Sequence, residues 1–228
     1  MARKASTKTT TVNRKRKTVE DEDKSEQPVV KKVAAVSPLA SLFDKYKDAE
    51  EPNCIGPDGV TKFCEDLGFA PDSIQVLILA WQMNASKMGY FTFEEFKKGF
   101  EKLHCTDLIQ LKKELQGFSH TIKVDPAKFA ELYKFSFGFA SEIVNKKSVE
   151  LAIAAEMLEL VIPDGPHTKT FISFLNSTKN YKVINKDQWI CFLEFSKTVK
   201  EDLSNYDEYE AWPLLIDEFV DFVKDLKK

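Results

Sequence analysis

The sequence predicts an all-α fold, and three observations carry that expectation. Helix starts recur down the chain, several of them a Ser, Thr, Asp or Asn followed by Pro or, three residues on, by Glu or Gln. The apolar residues behind each start repeat at helical spacing rather than in alternation. No run of residues reads as a convincing strand, so about ten helices should fill the chain.

The helices are expected to begin only after residue 36. Residues 1–36 hold ten Lys/Arg against five Asp/Glu, contain no aromatic residue and show no apolar period, so they cannot offset the entropy of ordering. A disordered basic tail is expected there. Within it "NRKRK", with Arg14, Lys15, Arg16 and Lys17, has the composition that nuclear import receptors read.

From Ser37 the pattern changes. "SPLASLF" offers Ser37 as N-cap and Pro38 in the first turn. "APDSIQVLILAWQM" reads as a mostly apolar helix, and Thr92 with Glu95 forms a capping box for "FEEFKKGF". "DPAKFAELYKFSFGFA" opens on Asp125 and Pro126, and Ser148 is expected to cap "SVELAIAAEMLELVI". Asn185 and Gln188 form another capping box before "WICFLEFSKTV". The last helix, "PLLIDEFVDFVKDL", should turn a stripe of Leu215, Phe219, Phe222 and Leu226 to the core and carry Asp217, Asp221 and Asp225 on another face. Like charges four residues apart cost about 0.2 to 0.5 kcal/mol per pair, a cost that a basic partner would turn into complementarity.

"NASKMGYFTFEEF" (Asn84 to Phe96) has the frame of a calcium-binding loop. Counting from Asn84, Gly89 falls at position 6, Phe91 at 8 and Glu95 at 12. The ligands are missing, because positions 1, 3 and 5 are Asn84, Ser86 and Met88, and a thioether is a poor ligand for a hard cation. Weaker echoes begin at Asp48, with Ile55 at 8 and Gly59 at 12, and at Ser177, with Ile184 at 8 and Gln188 at 12. No metal is expected in any of them. A helix-loop-helix without metal still sets two helices at an angle and can form a groove for a partner.

Composition narrows the function further. At 228 residues and 43% apolar, with 18 Phe, the chain can bury one or two sizeable cores. Cys54, Cys64, Cys105 and Cys191 are scattered without C-x-x-C spacing, which suggests a reducing compartment and neither a disulfide framework nor zinc. Neither a membrane span nor a secretory segment is expected. His104, His120 and His167 lie at no metal spacing and read as surface or packing residues. Cys191, in the apolar "WICFLEF", reads as an inert core thiol. "GPDG" (Gly56 to Gly59) lacks the Lys and Ser/Thr of a phosphate loop, so no enzyme and no cofactor are expected. A calcium sensor or another interaction adaptor is the alternative to the reading below. A nucleic-acid binder is opposed by the acidic body, with 23 Lys/Arg against 31 Asp/Glu beyond residue 36.

"DLSNYDEYEAWPLLIDEFVDF" (Asp202 to Phe222) strongly resembles the C-terminal signature of the defective-in-cullin-neddylation family, as do "NKDQW" (Asn185 to Trp189), "IGPDGVTKFCEDLG" (Ile55 to Gly68) and "VLILAWQM" (Val76 to Met83). The resemblance runs from Ser37 to about Leu226 and is closest to the nuclear members with a basic N-terminal extension. It implies a potentiating-neddylation domain over residues 37–228, all helical, with an EF-hand-like half at 37–118 that binds no calcium and a cullin-binding half at 119–228. It further implies a monomeric, non-catalytic scaffold in the nucleus and also the cytoplasm. Such a scaffold binds the winged-helix C-terminal subdomain of a cullin, the N-acetylated conjugating enzyme of neddylation and the RING subunit, and neither nucleic acid nor membrane.

Two surfaces follow from the resemblance. A cullin-binding patch maps onto Asp187, Ala211 and Asp217. A pocket for the conjugating enzyme's acetylated N-terminal methionine maps onto Val60, Val76, Leu79, Ala80, Met83, Phe91, Phe139 and Leu158, with Met88, Gly89 and Ala155 standing where some members have other residues.

Overall fold

A computed structural model describes residues 37–141 and 147–228. The tail 1–36, with its basic cluster, lies outside the described residues. Among the described residues ten helices carry the architecture: α1 (Pro38–Asp44), α2 (Pro57–Leu67), α3 (Ile74–Met83), α4 (Phe93–Lys102), α5 (Leu108–Val124), α6 (Pro126–Ala140), α7 (Leu151–Val161), α8 (Thr168–Ser177), α9 (Lys186–Thr198) and α10 (Leu214–Leu226). The all-α expectation and the helix number hold.

The expected starts are made by the side chains named for them. Ser37 accepts from Ala40 N at 3.1 Å, and Asp125 Oδ1 accepts from Ala127 N and Lys128 N at 3.0 and 3.1 Å. Both capping boxes close reciprocally, Thr92 with Glu95 and Asn185 with Gln188. Ser148 does not cap α7. It sits in a short strand, β3 (Ser148–Glu150), and Glu150 takes the cap position without a side-chain bond.

The described residues also form four short strands that were not expected from the sequence: β1 (Cys54–Ile55), β2 (Phe91–Thr92), β3 and β4 (Val183–Asn185). β1 pairs antiparallel with β2 so that Ile55 faces Phe91, and β3 pairs with β4 so that Val149 faces Ile184. The three residues assigned to position 8, Ile55, Phe91 and Ile184, therefore all lie in strands, and all are buried. Each ladder ties one helix-loop-helix to another, α1–α2 to α3–α4 and α6–α7 to α8–α9.

The core is one contiguous apolar cluster. Phe43, Phe63, Phe96 and Phe100 stack edge-on or tilted in the first half, with centroids 4.6 to 5.6 Å apart. Phe171, Phe174, Phe192, Phe195 and Phe219 cluster in the second, the closest pair being Phe171 and Phe192, stacked nearly parallel at 4.1 Å. The helix α6 is locked to α9 by Tyr133 and Trp189. Their rings stack at 4.8 Å, the Tyr133 hydroxyl donates to Trp189 O at 2.9 Å, and the indole N–H donates to Tyr133 O at 3.0 Å. This lock fixes the helix whose first turn carries Asp187.

On α10 the buried face is Leu215, Ile216, Phe219, Val220 and Val223. The expected stripe is half right: Leu215 and Phe219 are buried, Phe222 is half-buried and Leu226 is 64% exposed. Spacings of 4, 3 and 4 fit several rotations of one helix, and packing against α8 and α9 selects the rotation that buries Ile216, Val220 and Val223 instead.

Candidate interaction surfaces

The segment from Glu201 to Asp221 contains eight carboxylates and no Lys, Arg or His. It covers the link between α9 and α10 and the first two turns of α10. Ala211, in that link, is exposed, and its neighbour Tyr209 is 90% exposed. Asp217 lies in the first turn of α10, where the helix dipole favours an anion. Asp187 lies in the first turn of α9, exposed, and α9 packs against α10. A hydrogen bond from Asn180 Nδ2 to Glu218 Oε2, 3.1 Å, joins the approach to α9 to the second turn of α10.

Asp217 is not the freely exposed residue that a solvated acidic face would offer. It is half-buried and accepts from the Tyr206 hydroxyl at 2.5 Å. Replacing it with Lys would therefore cost stability as well as reverse a charge, and an asparagine is the cleaner probe. Burial pushes the Tyr206 phenol well above its usual pKa, helped by the hydrogen bond to Asp217 and by the Asp221 and Glu208 carboxylates nearby. Burial also raises the Cys191 thiol, with Asp187 and Glu194 adding to the effect. Cys191 is half-buried on α9 rather than a core residue, and its raised pKa makes it a poor nucleophile.

The calcium-like loop is closed by its own carboxylate. Glu95 Oε1 accepts from Ser86 N and Oε2 from Thr92 N, both at 2.8 Å. The side chain that a metal would take as bidentate ligand is thus spent on backbone N–H groups. Gly89 turns the loop at φ +77°. In the partner loop Asp48 Oδ1 accepts from Glu50 N at 2.7 Å and Glu51 N at 3.1 Å. Gly59, at position 12 there, is required by close approach: a Cβ would lie 2.0 Å from the Tyr46 carbonyl oxygen. A cavity of about 480 Å³ between the two loops is lined by polar groups of both, Glu51, Asn53, Lys87, Thr92 and Glu95 among them. Among the described residues no cluster of three or more His, Cys, Asp and Glu side chains could hold a metal ion.

Of the eight residues mapped onto the methionine pocket, Val76, Leu79, Ala80 and Met83 lie on α3, Val60 on α2, Phe91 in β2, Phe139 on α6 and Leu158 on α7, and none of them is exposed. Leu79, Ala80, Met83 and Leu158 are 0% exposed and Phe91 is 1%. Val60 and Val76, at 7% and 8%, and half-buried Phe139 lie nearer the surface. Close packing of α3 against α4 closes the groove that the sequence suggested would stand open; Gly99 of α4 lies so close that a Cβ would sit 2.4 Å from Met83 Cγ. Met88, beside this region, is 45% exposed.

The histidines behave as packing or surface residues. His167 is 2% exposed with Nε2 3.0 Å from Val199 O, while His104 and His120 are exposed. Sequence reasoning missed Tyr206 as the partner of Asp217 and Val149 as the partner of Ile184. The first pair is 11 residues apart with no periodic relation, and Val149 stands in no loop with a recognisable ligand pattern.

The family described as cullin binding matches residues 110–222. DCN1-like protein 2 of Dictyostelium discoideum is 50% identical over 243 residues, covering 97% of this chain and 90% of the relative. DCN1-like protein 4 of Danio rerio is 41% identical over 89% of this chain and 71% of the relative. DCN1-like protein 5 of Homo sapiens is 41% identical over 78% of this chain and 75% of its own length.

Proposed function

This chain belongs to the cullin-binding family of DCN1-like proteins, and from that premise we propose that it is a non-catalytic scaffold of cullin neddylation. It binds the winged-helix C-terminal subdomain of a cullin through Asp187, Ala211 and Asp217. The observation that carries this reading is the run from Glu201 to Asp221, eight carboxylates without one cation, interrupted by exposed Ala211. A surface of that kind attracts a basic partner and repels an acidic one, which sets association rate and specificity more than raw affinity. The small Ala211 side chain lets a partner approach the backbone beside those charges.

The second partner is the N-acetylated conjugating enzyme, held so that the ubiquitin-like modifier passes to the cullin beside the RING subunit. Its acetyl-methionine enters past Val60, Val76 and Phe139 onto a floor of Leu79, Ala80, Met83, Phe91 and Leu158. Because that floor is buried, entry requires side chains at the rim to move. Burying a methionine side chain returns about 1.5 to 3 kcal/mol, whereas a free amine would carry an unpaired charge into the same site. Acetylation is then the switch. Ala80 is too deeply buried for a binding test, since an arginine there would disrupt the core; Phe139→Ala at the rim is the appropriate variant. The basic cluster at Arg14 to Lys17 supports accumulation in the nucleus, with a cytoplasmic share.

Calorimetry of the full chain against the cullin C-terminal subdomain tests the first contact. Binding by the parent and loss in Ala211→Arg is the expected result, because Ala211 is exposed and the substitution adds bulk and positive charge at the centre of the patch. Undiminished binding by Ala211→Arg would refute this placement of the site.

A further inference from the structure

The carboxylate of Asp217 has its two oxygens in different situations. Oδ1 accepts the Tyr206 hydroxyl at 2.5 Å, while among the described residues no Lys, Arg or His forms an ion pair with Asp217. Tyr206 is itself held in place. Its ring packs against Phe195 of α9 at 6.1 Å and 61°, and Lys224 Nζ lies 5.8 Å from its centroid. Its backbone N–H donates to Leu203 O at 3.1 Å, so the residue is fixed at both main chain and ring. The raised phenol pKa keeps the hydroxyl a donor throughout the neutral range. The torsion that orients a carboxylate is intrinsically broad, so without a fixed donor the group would sample many orientations.

We propose that Tyr206 is a positioning residue of the cullin-binding surface: it clamps one oxygen of Asp217 so that the other is presented to a cationic group of the cullin. This rests on the reading that Asp217 contacts the cullin. The clamp also joins two parts of the surface, since Tyr206 and Ala211 stand on the same link between α9 and α10 while Asp217 stands on α10 itself. The partner group it suits is one that a single, oriented carboxylate oxygen can meet, a lysine ammonium or one arm of a guanidinium.

A double-mutant cycle decides the matter. The full chain, Tyr206→Phe, Asp217→Asn and the double variant are titrated by calorimetry with the cullin C-terminal subdomain, and their unfolding midpoints are compared. Tyr206→Phe keeps the ring and its packing and removes only the hydroxyl. The expected loss is about three- to tenfold in affinity for Tyr206→Phe, the range of one hydrogen bond, and a larger loss for Asp217→Asn. In the Asp217→Asn background the phenylalanine should then cost less than half of its single-variant effect. A merely structural tyrosine would instead give the same fold loss in both backgrounds, which would overturn the proposal even if Tyr206→Phe were less stable. Unchanged affinity in Tyr206→Phe beside a weakened Asp217→Asn would also overturn it, leaving the cullin site in place. Unchanged affinity in Asp217→Asn would overturn both.

Discussion

Trp189→Phe should be among the most damaging conservative substitutions in this protein, because Trp189 and Tyr133 each complete the other. Trp189 is 1% exposed, and its indole N–H donates to Tyr133 O while the Tyr133 hydroxyl donates to Trp189 O. Phenylalanine retains the stack but loses the indole bond, worth about 1 kcal/mol. The Tyr133 carbonyl is not orphaned, because the Ser136 hydroxyl still donates to it at 2.8 Å, so no full desolvation penalty is added. The smaller ring forfeits buried apolar atoms and leaves space behind, for about 1 to 2 kcal/mol more. The total is about 2 to 3 kcal/mol, which for a chain of this size lowers the unfolding midpoint by roughly 4 to 12 °C. Tyr133→Phe, which removes one hydroxyl and little volume, should cost about 1 kcal/mol. Urea and thermal unfolding of the full chain measure both, and the double variant should lose at least ~0.5 kcal/mol less than the sum. A Trp189→Phe variant within ~0.5 kcal/mol of the parent would refute the argument that this pair locks α6 to α9.

Glu95→Ala removes both backbone bonds that close the loop at Ser86 and Thr92 and should cost about 1 to 2 kcal/mol; calcium should shift the unfolding midpoint of neither parent nor variant, and a calcium-induced rise in the parent would revive a sensor. Asp66 is held below the usual carboxylate range by hydrogen bonds from Lys45 and Tyr46, so its contribution to stability is present above the unfolded carboxylate pKa and is lost as pH falls through its depressed folded value. Asp66→Asn should therefore flatten the acid limb of a midpoint-against-pH curve, and an unchanged limb would count against the pair. The Cys64 thiol, buried in α2 with its pKa pushed up to about 11, should resist alkylation near neutral pH until the protein unfolds; mass spectrometry after a short iodoacetamide pulse would show otherwise if Cys64 were labelled in the native state.

What was legible in the sequence was local. Ser37, Thr92, Asp125 and Asn185 cap helices because a side-chain oxygen reaches a backbone N–H two or three residues on, a relation that sequence spacing encodes directly. Position counting in the loops found Ile55, Phe91 and Ile184, since loop length fixes which residue turns inward. What was not legible depends on contacts between distant segments. Ser148 has the chemistry of a cap, but pairing with Asn185 draws it into a strand. The rotation of α10 is chosen by the helices it lies against, and the closure of the apolar floor under Val60 and Val76 is chosen by the approach of α4 to α3 at Gly99. The hydrogen bond from Tyr206 to Asp217 belongs to this second class too, which is why the candidate surface looked like a row of equivalent aspartates.

The proposed scaffold role requires this protein to promote modifier transfer by holding a cullin at its acidic surface. Its most direct test is a reconstituted neddylation reaction containing the cullin with its RING subunit, the charged N-acetylated conjugating enzyme, and the full chain as parent, Asp187→Lys or Ala211→Arg. Both altered positions are exposed, so neither substitution should disturb the fold. In the scaffold role the parent speeds formation of the modified cullin and either variant returns the rate to that of the reaction without the protein. A parent that leaves the rate unchanged would rule out the scaffold role, and variants that accelerate it equally well would rule out this surface as the cullin site.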